Sequence, residues 1–130
     1  MTAMSNYLEV KFLDHFLGTA STTSPAAVYL SLHTADPTDA GSGAEVSTSG
    51  TAYVRKAITF GAASSGAASN SSAVEFDSAT SSWGTITHIG IWDASSSGNL
   101  LFHGALDASK TIASGDVFKV NAAGITLTAA

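Results

Sequence analysis

The hydrophobic pattern of the N-terminal segment is typical of one amphipathic helix. Residues 5–17 contain neither Gly nor Pro, Ser5 can cap the first turn, and Gly18 follows at the C-terminal end. At about 100° per residue, the apolar side chains cover an arc of roughly 200°. The members of this arc are Leu8, Val10, Phe12, Leu13, Phe16 and Leu17.

An arc this wide has two interpretations, because an ordinary surface helix buries a narrower apolar stripe. The helix either lies deep in a groove of its own domain, or presents part of the arc to another subunit. The residues that we expect at such an interface are Leu8, Phe12, Phe16 and Leu17.

After the helix the pattern changes to alternation with period two, which predicts short β-strands. The predicted strands cover residues 27–33, 53–60, 74–76, 85–92, 100–104, 110–112, 117–121 and 125–128. About eight strands at this spacing, with no helices between them, favour a mainly β fold. We predict an antiparallel β-sandwich or jelly-roll-like barrel over residues 27–128, with one N-terminal α-helix over 5–17. Residues 1–130 then form a single domain.

Composition and charge exclude several classes of partner. Ala, Ser, Thr and Gly make up 70 of the 130 residues, and only 12% are charged, with a net charge of −5. Such a chain has no basic patch for nucleic acid or for an anionic membrane. No apolar run reaches the length of a membrane span, and we expect no signal peptide. The absence of Cys excludes disulfides, thiolate zinc sites and cysteine nucleophiles.

Two candidate metal sites are weak. His88 and His103 lie on the two arms of a predicted hairpin and could face one another, with Asp93 or Asp107 nearby. Their spacing matches no ligand motif. In the loop after the first strand, Asp36, Asp39 and Glu45 suggest calcium, but their register differs from that of an EF-hand loop.

Catalytic motifs are also lacking. The sequence contains neither a G-x-S-x-G elbow nor a phosphate-binding G-x-x-x-x-G-K-[ST] loop, and Glu75 has no evident carboxylate partner. We therefore predict no enzymatic activity, no catalytic residues, no metal site and no cofactor.

The aromatic residues divide between core and interface. Alternating aromatics in strands mostly fill a core, which is our prediction for Phe76, Phe102 and Phe118. For Trp83, beside Gly84 at the start of the strongest strand, a core position and a role at an interface both stay open, and we count it among the candidate interface residues.

A set of segments along nearly the whole chain is specific in combination. They are Asn6-Tyr7-Leu8, Leu13-Asp14-His15, Val28-Tyr29-Leu30, residues 32–41, Glu45-Val46-Ser47, Tyr53, Arg55, and residues 58–63, 83–93, 98–102, 110–112 and 114–118. Together they resemble a family of small virion structural proteins of tailed bacteriophages, labelled tail fibre proteins or capsid decoration (cement) proteins.

The resemblance implies a virion protein without catalytic residues, made in the cytoplasm of a bacterial host. Our first hypothesis is a cement protein that binds the major capsid protein or other virion proteins and stabilises the shell, as a homo-oligomer. The alternative is a tail fibre or tail-tip module that recognises a receptor on the host surface. The two hypotheses differ in the number of copies per virion.

Overall fold

The structure is a computed structural model that describes residues 2–128. Its elements in chain order are β1 (Thr2–Met4), α1 (Asn6–Phe16), β2 (Val28–His33), β3 (Lys56–Ile58), β4 (Ala67–Ser69), β5 (Val74–Glu75), β6 (Gly84–Trp92), β7 (Leu100–Ile112), β8 (Lys119–Val120) and β9 (Thr126–Thr128).

A five-stranded sheet with the order β1-β7-β6-β2-β3 forms the body of the protein, and every pairing in it is antiparallel. Its centre is the hairpin of β6 and β7, in which Trp92 lies opposite Leu100. The carboxylate of Asp93 closes the turn by accepting a hydrogen bond from the Asn99 backbone N–H at 2.7 Å. The hairpin predicted from the sequence is thus confirmed.

Two small antiparallel sheets, β4-β9 and β5-β8, complete the fold. One hydrophobic core joins them to the large sheet: Leu30 and Ile91 come from the large sheet, Val74 and Leu127 from the small ones. Phe76 and Phe118 are buried in this core, and Phe102 is partly buried against it. The prediction of a mainly β, antiparallel fold with one N-terminal helix is confirmed.

Several strands differ from the predicted ones. β7 continues to Ile112, so the segment 110–112 extends the hairpin rather than forming a separate strand. β4 lies between the predicted strands 53–60 and 74–76, in a tract of small residues for which no strand is predicted. The alternating run 53–60 forms only the short β3. The sequence pattern does not show the bounds of these strands, because they contain small side chains or end at turns. Their pairing depends on backbone hydrogen bonds and not on an apolar pattern.

The second face of β2 is also buried, and it is polar. Ser31 and His33 point away from the main core and are covered by the connection that follows β2. Backbone hydrogen bonds hold this connection in place, since Thr34 N–H donates to Ala44 O at 2.9 Å and Val46 N–H donates to Leu32 O at 3.1 Å. The sheet is therefore enclosed on both sides at β2.

Candidate functional site

The first turn of α1 is fixed to the body of the protein through Ser5. Its hydroxyl oxygen accepts a hydrogen bond from the Leu8 backbone N–H at 3.2 Å, as an N-cap does, and its O–H donates to the carbonyl of Leu100. The Ser5 backbone N–H donates to Leu101 O at 2.8 Å. The start of α1 is therefore anchored on β7.

After the C-terminal end of α1 the chain reverses direction. Gly18 has a φ of 81°, the left-handed conformation that ends many helices. The backbone N–H of Thr19 then donates to Asp14 O at 2.9 Å, and that of Thr22 to Nδ1 of His15 at 3.2 Å. Residues 19–25, which we call the return segment, consequently run back alongside α1.

This return segment lies beside α1 and shares one cleft with Lys11, Phe12 and Phe16. A groove of about 200 Å³ separates Tyr7, Leu8 and Lys11 from Thr22 and from Leu101 on β7. Within α1, Leu8, Lys11 and Asp14 are half-buried. The side of the helix that faces its own domain is thus the side that carries a lysine and an aspartate.

As a result, the apolar side of α1 points into solvent. We call Val10, Phe12, Leu13, Phe16 and Leu17 the apolar face of α1; these side chains are between 46% and 74% exposed. Residues 6–16 are all described, and none of them is buried. The interpretation that places the helix deep in a groove of its own domain is therefore wrong.

Aromatic contacts organise the apolar face. The rings of Phe12 and Phe16 lie 5.0 Å apart, and His15 packs edge-on against Phe16 at 4.9 Å. Such contacts restrict the side chains before any partner arrives, which lowers the entropy lost on binding. Of the interface residues predicted from the sequence, Phe12, Phe16 and Leu17 lie on this face, and Leu8 lies at its half-buried edge.

Trp83 does not lie at a surface. It is 4% exposed and packs edge-on against Tyr53 at 5.5 Å and against Phe76 at 6.2 Å. Its indole N–H donates to the carbonyl of Thr51 at 2.8 Å. The expectation of an interface role for Trp83 is corrected to a core role, because its indole N–H has a partner within the protein and its rings pack against Tyr53 and Phe76 in the core.

The histidines are not arranged as the hairpin suggested. His103 lies opposite Gly90, whereas His88 lies opposite Ala105 on β7 and opposite His33 on β2. The register of the hairpin thus places the two histidines two positions apart along the paired strands, and they do not face one another. His103 instead contacts carboxylates, with its Nε2 at 2.7 Å from Asp39 and its Nδ1 at 3.4 Å from Asp36.

Each acidic residue of the loop after β2 has a partner within the protein. Asp36 accepts a hydrogen bond from the Thr38 backbone N–H at 2.8 Å, and Asp39 contacts His103. Glu45 belongs to a different cluster, described next. Over residues 2–128, no group of three or more His, Cys, Asp or Glu side chains is placed to hold a metal ion. Glu75 lies opposite Lys119 in the β5-β8 sheet.

A cluster around Arg55, which the sequence did not reveal, joins three segments. Arg55 makes two hydrogen bonds to Glu45, from Nε at 2.9 Å and from Nη2 at 2.8 Å. Its Nη1 donates to the carbonyls of Ala94 and Ser97 in the turn after β6. Glu45 also accepts from the Tyr53 hydroxyl at 2.7 Å. The one available signal was that Arg55 is the only arginine of a chain with little charge.

The electrostatics of this cluster follow from burial and pairing. Burial opposes the charge on Glu45, but hydrogen bonds from Arg55 and Tyr53 outweigh it and hold the pKa of Glu45 below its usual range. Burial, together with the negative charge of Glu45, strongly raises the pKa of Tyr53. Tyr53 therefore stays protonated and donates to the carboxylate.

A serine–histidine pair on β2 resembles a catalytic pair in geometry only. Ser31 Oγ lies 2.7 Å from Nε2 of His33, and the Trp92 indole N–H donates to Ser31 at 2.8 Å. Nδ1 of His33 lies 2.7 Å from Gly43 O, which can only accept, so Nδ1 carries the proton. Burial lowers the pKa of His33. Both side chains are enclosed, which leaves a substrate no access to the hydroxyl.

Buried polar groups within the described part of the chain are satisfied: between residues 2 and 128, no buried side-chain nitrogen or oxygen lacks a hydrogen-bond partner. In the same range, no helix has the length and apolar character needed to cross a membrane. Among residues 2–128, six of the eight large exposed hydrophobic side chains lie between Tyr7 and Leu17, in and directly after α1.

Comparison with known proteins gives one family. No curated protein matches the sequence. The model of the family described as podophage GP4 fiber I protein gp80 matches residues 3–128, which is nearly the whole chain and includes α1 and the large sheet except Thr2 of β1. The chain accordingly belongs to this family of phage fibre proteins.

Proposed function

We propose that the chain is a module of a tail fibre of a podophage-type virion, with a structural rather than a catalytic role. The observation that carries the proposal is the family match over residues 3–128, since the description of that family is a fibre protein. A fibre is the part of a tailed virion that meets the host, so the proposal includes a role in recognising a receptor on the host surface.

The surface of the protein supports a role in assembly. The apolar face of α1 is suited to contact with another protein surface, because exposed aromatic and aliphatic side chains are the usual anchors of such contacts. By contrast, the polar clusters around Arg55 and Ser31 are occupied by partners within the protein. These clusters serve to hold the loops against the sheet.

Capsid decoration, which the sequence analysis placed first, shares the need for an exposed contact surface but lacks the support of the family description. A cement protein covers the shell in a number of copies comparable to that of the major capsid protein. A fibre module occurs in a few to a few tens of copies at the tail. The copy number and the position therefore separate the two functions.

The test uses purified virions. Quantitative gel densitometry against the major capsid protein gives the copy number, and immunogold electron microscopy with an antibody to this chain gives its position. We expect gold particles at the tail and a copy number far below that of the capsid protein. Label spread over the capsid at near-equal copy number would overturn the fibre function in favour of decoration.

A further inference from the structure

A cleft of about 450 Å³ opens beside the cluster around Arg55. It is lined by the ion pair of Glu45 and Arg55, by Val54, and by the serines at 95–97 in the turn after β6. Its volume lies within the range of about 300–1,000 Å³ that is typical of small-molecule sites. The cleft is therefore large enough for a small ligand or for the end of a longer one.

The ion pair in the cleft holds the loops together and still has unused hydrogen-bonding groups. Of the five N–H donors of Arg55, four are used within residues 2–128: one on Nε, two on Nη1 and one on Nη2. On Glu45, Oε2 accepts two hydrogen bonds, whereas Oε1 accepts only the one from Arg55 Nη2 at 2.8 Å. The pair thus keeps one unused donor beside one unused acceptor.

We propose that this cleft binds a neutral saccharide. Neighbouring hydroxyl groups of a sugar ring offer an acceptor and a donor side by side, which matches the unused N–H of Arg55 and the unused lone pair of Glu45. Val54 is 48% exposed and can cover the C–H side of the ring, and the exposed serines at 95–97 supply further hydroxyls. A few placed polar groups beside an apolar contact are the usual composition of a small-ligand site.

The charges around the cleft favour an uncharged ligand. Glu45 and Arg55 compensate each other, and none of the other described residues that line the cleft carries a charge. An anionic sugar would bring its carboxylate against Glu45 in a chain of net charge −5, and a cationic amino sugar would bring its ammonium group against Arg55. A neutral sugar meets neither repulsion.

The walls of the cleft are held in place before a ligand arrives. Arg55 Nη1 donates to the carbonyls of Ala94 at 3.1 Å and Ser97 at 2.8 Å, so the same side chain that pairs with Glu45 also fixes the serine turn. Such a site loses little conformational entropy on binding. The inference rests on the proposed function in one respect, because a fibre that meets the host brings the cleft to the saccharides of the cell surface.

The experiment titrates the purified, isotope-labelled chain with neutral sugars and follows its amide signals by NMR. The sugars are glucose, galactose, mannose, rhamnose and N-acetylglucosamine, each raised to roughly 50 mM, since a single sugar in such a cleft is expected to have a Kd on the order of 1 mM. With at least one of them we expect saturable shifts at Val54 and at residues 95–97. Galacturonic acid should bind at least tenfold more weakly than the best neutral sugar.

Two pairs of variants locate the site. Ser96→Trp fills the cleft from the exposed turn and should abolish the shifts, whereas Ser109→Trp adds the same ring at an exposed serine of β7 outside the cleft and should leave them unchanged. Val54→Ala removes part of the apolar contact and should weaken binding by roughly threefold or more. Its control is Val117→Ala, since Val117 is 47% exposed and lies outside the cleft. Circular dichroism checks the folding of each variant.

The absence of a saturable shift with every one of these neutral sugars would overturn the proposal. Shifts confined to another surface, shifts that persist in Ser96→Trp, or equal binding of galacturonic acid would overturn it as well. Each of these results would leave the fibre function standing, since that function is judged by copy number and position in the virion. Conversely, a position on the capsid would overturn the fibre function without changing the sugar titration of the purified chain.

Discussion

Arg55 lies flat against Trp92, with the guanidinium carbon 3.9 Å from the centre of the indole ring. The same side chain is only 7% exposed and makes the two-bond pair with Glu45. One arginine thereby connects the segment before β3, the connection after β2 and the turn after β6. Stacking on an indole ring and pairing with both oxygens of a carboxylate at the same time require a guanidinium group, which is planar, permanently charged and carries several N–H donors in one plane.

We predict that Arg55→Lys destabilises the protein nearly as much as Arg55→Ala. Lysine keeps the positive charge but can neither stack on Trp92 nor pair with both oxygens of Glu45. Removing one partner of a largely buried ion pair leaves the charge of the other unpaired, here that of Glu45. We therefore expect a loss of about 2–4 kcal/mol in the free energy of unfolding. Urea denaturation of the two variants measures it.

The matched control is Lys56→Ala. Lys56 pairs with Asp77 at 3.1 Å, but the Asp77 side chain is largely exposed, and exposed pairs contribute about 1 kcal/mol or less. If Arg55→Lys were as harmless as Lys56→Ala, the cluster around Arg55 would be a surface pair without a role in holding the loops.

The stability of the fold should fall in mild acid. The pKa of His33 is lowered in the folded state by burial, so below its ordinary value of 6.5 the unfolded chain takes up a proton that the folded one resists. The pKa of Glu45 is lowered as well, so its stabilising charge is complete above 4.5 and is lost as the pH falls through the folded value. Both effects have the same sign, and the free energy of unfolding decreases as the pH falls below 6.5.

Urea denaturation at a series of pH values tests this dependence. In His33→Gln the decrease just below pH 6.5 should become smaller, while the decrease below 4.5 due to Glu45 should remain. Ser96→Ala, which changes an exposed residue without a titratable group in the turn after β6, is the control and should keep the wild-type profile. A wild-type stability that is constant from neutral pH down to 4.5 would contradict the prediction.

The sequence predicted those parts of the fold in which the local pattern and the tertiary contacts agree. The bounds of α1, the hairpin of β6 and β7, and the buried positions of Phe76 and Phe118 follow from caps, alternation and turn residues. β1 and β4 were missed because they are three residues long and consist mostly of small or polar residues, which give no apolar alternation. Only their backbone pairing with β7 and β9 shows them as strands.

For the candidate site, the sequence identified the helix but not the direction of its apolar arc. Periodicity shows which side chains share a face, and it does not show whether that face meets the domain or the solvent. The orientation depends on the Ser5 anchor and on the return segment 19–25, both of which are tertiary features. The prediction of an interface role for Trp83 was wrong for a similar reason. A tryptophan at the start of a strand is consistent with a core position and with an interface position, and only the structure shows that its N–H donates to the carbonyl of Thr51.

A tight contact on the sheet gives a third prediction. A methyl group on Gly90 would lie 2.6 Å from the Ser31 hydroxyl oxygen and 2.9 Å from a methyl carbon of Leu100. Gly90→Ala must therefore displace the buried serine, the hydrogen bond that it accepts from Trp92, or both. We expect a loss of about 1–3 kcal/mol in the free energy of unfolding, as is usual for overpacked sites.

Gly61→Ala is the control for this variant. The nearest atom to a methyl group at Gly61 is the carbonyl oxygen of Ser69 at 3.9 Å, which is an ordinary contact. Thermal unfolding of both variants gives the comparison. A melting temperature of Gly90→Ala equal to that of Gly61→Ala would show that the surroundings of Ser31 yield easily, against the enclosed packing described above.

The anchor of α1 gives the last prediction. Ser5→Ala removes both the cap on the Leu8 N–H and the hydrogen bond to Leu100 O, and we expect this to destabilise the helix by about 1–2 kcal/mol. Amide exchange at Leu8 should accelerate, whereas Ser96→Ala, in the exposed turn after β6, should leave it unchanged. Exchange at Leu8 that keeps the wild-type rate in Ser5→Ala would contradict the anchoring role of Ser5.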